Sequence, residues 1–122
     1  MIHQEVAAML LSLCMQLTLA GCPALVDSPK VLKHHSPSAT MMFAVSQTRI
    51  TKEKRYYVYY SQASIKGLNR MEIRGVLVHE LAHYILYVEK GLDTSKHQRP
   101  FRTECRILAK SAGEVRTSVC RP

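Results

Sequence analysis

The sequence predicts an α+β fold: a small antiparallel sheet packed on one long helix, with a second helix near the C-terminus. Three observations lead there. Two runs rich in β-branched and aromatic residues, TMMFAVSQTRI (40–50) and RYYVYYSQASI (55–65), flank the charged turn TKEK, which is the pattern of a hairpin. A long stretch of apolar residues at helical spacing comes next, and a shorter one opened by a proline follows it.

At 122 residues the chain has room for one domain, near the small end of what can bury a self-sufficient core. A net charge of +8 with 47% apolar residues describes a folded basic protein and argues against a disordered one. Such a surface can attract nucleic acid, anionic lipid or acidic substrates. No run of five or more Lys/Arg selects among them, and a merely solvated basic surface accounts for the charge.

The first basic side chain is Lys30, and residues 6–20, VAAMLLSLCMQLTLA, are almost wholly apolar. That is short for a transmembrane span of about 20 residues, but it suits the apolar core of a signal peptide. The following LAGC (19–22) resembles the lipobox of bacterial lipoproteins. The resemblance implies a signal over 1–21, lipidation at Cys22 and a membrane-anchored, periplasm-facing protein of the cell envelope. The alternative is an ordinary N-terminal helix, since Val6, Met9, Leu10, Leu13 and Leu17 share one helical face. Under the envelope reading Cys14 leaves with the signal, and Cys105 and Cys120 remain as a possible disulfide fastening the C-terminal tail to the preceding helix.

Residues 22–40, rich in proline and serine, read as a linker with at most one short strand around Lys30–Lys33. His34 and His35 within it have no partner at ligand spacing. The tyrosines at 56, 57, 59 and 60 fit a half-buried sheet better than a base-stacking platform. Asn69, with Glu72 three residues on, forms a capping box, so the long helix begins near Arg70 and Gly91 stops it. Gly75 inside it suggests close packing against the sheet. Pro100 opens the second helix, and Gly113 ends it.

Inside the long helix lies VLVHELAHYIL (76–86). His79 and His83 project from one face, one turn apart, so both imidazoles can converge on one ion. Glu80 sits beside them where it can reach a water without being a ligand. This stretch resembles the active-site helix of zincin metallopeptidases. The resemblance implies one Zn²⁺ held by His79 and His83, with Glu80 as general base in the hydrolysis of a protein or peptide substrate. It also makes residues 41–122 a minimal zincin-like domain.

A catalytic zinc site needs a third ligand, and HQRPFRTE (97–104) offers two. His97, followed by Phe101, Arg102 and Leu108, resembles the loop histidine and supporting helix of the SprT-like family, with Gln98 where that family usually has glycine. Glu104 resembles the second-helix glutamate of thermolysin-like enzymes, and both candidates stay open. Tyr84, Tyr87 and Arg102 could stabilise an oxyanion, although packing explains each. The strand at 55–65 is the candidate substrate-binding edge. Two alternatives of other kinds remain: a non-catalytic metal-binding envelope lipoprotein, and a cytosolic SprT-like protease acting on DNA-associated proteins. Outside that last case no nucleic-acid partner is expected.

Overall fold

Strand pairing fixes the frame on which the helices sit. The computed structural model describes residues 2–28, 40–94, 96–113 and 116–120. β1 (Ala24–Asp27), β2 (Met41–Gln47) and β3 (Lys54–Tyr60) form one sheet in the order β1-β3-β2. β2 and β3 make the expected antiparallel hairpin, with Phe43 opposite Val58. Its turn closes through Thr48 N–H to the Glu53 carbonyl at 3.0 Å.

Two expectations change here. The stretch 22–40 is not wholly a linker, because Ala24–Asp27 pairs parallel to β3 and makes the sheet mixed. Its four residues are too few for periodicity to register, and only a long-range partner makes them a strand. The possible strand around Lys30–Lys33, together with His34 and His35, lies outside the described residues. Secondly, the run 55–65 stays extended only to Tyr60. Ser61 then caps a one-turn helix, α2 (Gln62–Ile65), exchanging a reciprocal pair of hydrogen bonds with Ser64. β3 is also the central strand, so it cannot serve as a free edge, and the outer strand of the hairpin is β2.

Side chains alternate across the sheet as the pleat requires. Val58 and Tyr60 are fully buried, while Tyr57 and Tyr59 stack on the opposite face with centroids 5.7 Å apart. The buried face carries an aromatic cluster in which Phe43 and Tyr56 meet Tyr84 and Tyr87 edge-on or tilted, at 5.4–6.2 Å. Tyr84 and Tyr87 therefore have the packing role.

The helix that supplies them is α3 (Arg70–Lys90). Asn69 Oδ1 accepts from Glu72 N–H at 2.9 Å and Glu72 Oε1 accepts from Asn69 N–H at 3.0 Å, so the expected capping box is formed. Gly91, at φ +63°, ends the helix in a left-handed conformation that costs a Cβ-bearing residue more. Gly75 is buried, and eleven residues of α3 are buried in all, so the helix is surrounded rather than laid on a surface. α4 (Arg99–Ser111) packs across it through Phe101, Cys105, Leu108 and Ala109. A 3₁₀ turn (Thr117–Cys120) returns against both helices.

The N-terminal segment forms a helix that packs on the rest of the domain. α1 (His3–Gln16) is a core element, lying against α3 and β1. Val6, Met9, Leu10, Leu13 and Cys14 are buried in the same cluster as the sheet and α3, and Arg74 donates to Gln16 Oε1 at 3.1 Å. Cys14 and Cys22 form a disulfide. In this fold the described residues 2–21 pack with the rest of the domain, and the Cys22 sulfur is bonded to Cys14. The physical reason is that one apolar run serves either a signal's core or an amphipathic helix, and only a partner surface distinguishes them. No described helix is long and apolar enough to cross a membrane.

Candidate metal centre

His79 and His83 occupy successive turns of α3, and the loop after Gly91 brings a third imidazole to them. His97 adopts φ +50°, an uncommon conformation for a residue with a side chain. Its N–H donates to the Thr94 carbonyl at 2.9 Å, closing the turn that aims the ring at the helix. The three Nε2 atoms form a triangle with edges of 3.0, 3.2 and 3.3 Å.

That triangle suits a metal. Tetrahedral zinc with Zn–N bonds of about 2.0–2.1 Å holds its nitrogens about 3.3–3.4 Å apart, close to what the apo side chains already present. A proton on one nitrogen satisfies one edge of the triangle, whereas a cation satisfies all three lone pairs. His79, His83 and His97 are the one such group among the described residues.

The outer nitrogens are held too. His79 Nδ1–H donates to the carbonyl of Val119 in the 3₁₀ turn, which leaves Nε2 as the bare acceptor. His83 Nδ1 is 2.7 Å from Thr94 Oγ1. Beneath the rings lies Phe101, fully buried, with centroids 4.2 Å from His83 and 4.7 Å from both His79 and His97. Burial disfavours the imidazolium form, so all three histidines are pushed below their usual pKa, His83 to about 3. Mutual repulsion with its neighbours adds to the effect at His83. The site thus presents neutral nitrogens, the form a metal takes up.

Glu80 is 4% exposed and lies beside the triad on α3. Its carboxylate accepts the backbone N–H of Phe43 on β2, while burial drives its pKa up to about 8. Oε2 has no hydrogen-bond partner although it is buried. An orphaned carboxylate oxygen is costly, and a water beside the triad would supply its missing partner. The residues present therefore fit a three-histidine metal site with an adjacent acid–base group.

Glu104 stays apart. It is half-exposed on α4, whose buried side is Phe101, Cys105 and Leu108, and it belongs to no three-ligand group among the described residues. Arg102 is exposed on the same helix. Cys105 and Cys120 form the disulfide that was considered from sequence. The supporting atoms, Val119 O, Thr94 Oγ1 and Phe43 N–H, were not found in the sequence. Two of them are backbone groups, which carry no residue signal at all.

A cavity of about 330 Å³ adjoins the centre on the loop side, lined by Thr94, Lys96, Gln98, Pro100 and Phe101 among others. Compared with known proteins, the chain matches no curated protein and no solved structure. The model of the SprT-like family matches residues 28–121, which include the whole sheet hairpin, α3, the histidine loop and α4. On that match, with the fold and the histidine triad to accompany it, this chain belongs to the SprT-like family of zincin-type, metallopeptidase-like proteins.

Proposed function

We propose that the protein is a zinc-dependent peptidase in which His79, His83 and His97 hold one Zn²⁺ and Glu80 is the acid–base residue. The observation that carries this reading is the convergence of three neutral Nε2 atoms within 3.3 Å of one another beside the unpartnered Glu80 Oε2. When bound, zinc supplies a Lewis acid that acidifies water and polarises the scissile carbonyl. Glu80 Oε2 takes the proton of the attacking water and delivers it to the departing amine. Phe43 N–H holds the carboxylate by its other oxygen, so Oε2 is kept free for this exchange. Burial pushes the pKa of Glu80 upward, which makes its carboxylate the stronger base.

The outer strand β2 supports a place for the substrate. It carries Phe43, whose N–H reaches the acid–base residue, and among the described residues it pairs with β3 alone. An extended peptide adding along β2 would pass over Glu80. The Cys105–Cys120 disulfide supports an oxidising compartment such as the bacterial envelope, and it weighs against the cytosolic, DNA-associated alternative.

The test is the Glu80→Gln variant. It keeps stoichiometric zinc and loses peptide hydrolysis by a factor of about 10²–10⁴. Equal activity in wild type and variant would overturn the reading, and zinc retention by a wild-type protein with no hydrolysis would favour a non-catalytic metal-binding role.

A further inference from the structure

Two features meet at the C-terminal 3₁₀ turn. The carbonyl of Val119 accepts the Nδ1–H of His79, and the adjacent residue, Cys120, is bonded through sulfur to Cys105 in the middle of α4. A four-residue 3₁₀ turn has too few internal hydrogen bonds to stand alone. Its position depends on what ties it down. Arg116 donates to the Met71 carbonyl at 2.7 Å on its N-terminal side, and the disulfide holds its C-terminal side. Cys105 is fully buried and Cys120 is 2% exposed, so the bond lies in the core beside Phe101 and the α3–α4 contact, not on the surface.

We propose that the Cys105–Cys120 disulfide is a positioning device of the metal centre: it seats the Val119 carbonyl on His79, and so makes metal affinity depend on the oxidation state of that cysteine pair. The carbonyl fixes the His79 tautomer with Nε2 bare and turns the ring toward His83 and His97. Reduction undoes this. A dithiol passes two electrons and two protons to the S–S bond, leaving two thiols and a cyclic disulfide of the reductant. The 3₁₀ turn then loses its covalent tie to the core, and the Val119 carbonyl is no longer fixed against His79. Removal of such an outer partner typically weakens metal binding about 10–100-fold. The other disulfide, Cys14–Cys22, ties α1 to β1's approach and touches none of the three histidines. It provides an internal control.

This inference rests on the zinc site proposed above. Zinc affinity is measured by chelator competition on three oxidised proteins: wild type, Cys105→Ala/Cys120→Ala, and Cys14→Ala/Cys22→Ala. Both variants lose thermal stability, because each loses a cross-link. Only the first is expected to lose zinc affinity, by about 10–100-fold, and to change the visible spectrum of its Co²⁺-loaded form. Equal affinity in the two double variants would overturn the inference. Should the first variant fail to fold, the Cys14→Ala/Cys22→Ala protein reduced with a phosphine and S-methylated at the two freed thiols, compared with its own oxidised form, gives the same reading, and undiminished affinity there overturns it too. A wild-type protein that binds no zinc when oxidised would defeat the zinc-site reading itself, so the two failures are distinguishable.

Discussion

Phe101 and His83 lie with ring centroids 4.2 Å apart and planes only 20° from parallel, the closest of three ring contacts Phe101 makes with the triad. One apolar ring on α4 thereby sets the attitude of imidazoles from α3 and from the loop. It also excludes water from their inner faces, which is the burial that keeps them neutral.

Replacing that ring separates packing from ligation. Phe101→Ala should cost about 3–5 kcal/mol of stability, the usual range for a fully buried phenylalanine. Phe101→Leu should cost less while still losing zinc affinity, since Leu fills space without a flat surface for His83. Denaturant unfolding of the apo proteins and zinc titration of both variants check the two effects independently.

The choice of third ligand has a direct readout. His97→Ala should drop zinc from one ion per chain to substoichiometric after dialysis, because a two-histidine site is incomplete. Glu104→Ala should leave it at one. The reverse pattern would move the third ligand from the loop to α4.

Glu80 predicts a pH effect of definite sign. Its carboxyl titrates near the ordinary 4.5 when unfolded and about 8 when folded. Between those values the folded state binds more protons, so this group's contribution to stability falls as pH rises through the window. Metal-free Glu80→Gln lacks the penalty. It should melt higher than metal-free wild type at pH 8, by roughly 5 °C or more, with the gap closing near pH 4.5. A constant gap across that range would show that the carboxylate is not desolvated. A lowered histidine pKa acts in the opposite sense: stability held above 6.5 is lost as pH falls, so His83→Asn should flatten the acid side of the wild-type profile.

The standing of α1 is decided by one methylene-rich side chain. Leu13 is 2% exposed in the core. Leu13→Ala should therefore destabilise the full-length protein by about 2–5 kcal/mol, and a chain whose folded domain did not include α1 would show no change in its unfolding midpoint.

Much of this site could be read along the chain because its signals are local. A helix writes its own geometry, so His79 and His83 declare a shared face by spacing alone with Glu80 beside it, and the Asn69–Glu72 box and Gly91 mark the two ends of that helix by signals local to each end. The hairpin and α4 were legible for the same reason, through two β-rich runs around a charged turn in one and Pro100 with Gly113 in the other. What was not legible was short or shared. β1 has four residues and takes its strand character from β3. The segment 6–20 satisfies two physical descriptions with one set of apolar residues.

By itself, then, the sequence determined the helix that carries the candidate ligands, the pair of histidines on its face, the acid beside them, and the short list of residues able to complete the set. Only the tertiary structure decided which member of that list meets the other two. His97 and Glu104 are both within reach along the chain, and what separates them is a loop turned by Thr94 and a helix whose buried side is already taken by Phe101 and Cys105. The same holds for the supports of the site. A backbone carbonyl at Val119 and a backbone N–H at Phe43 are present in nearly any sequence, and they acquire a role only when a disulfide and a sheet edge bring them to particular side chains.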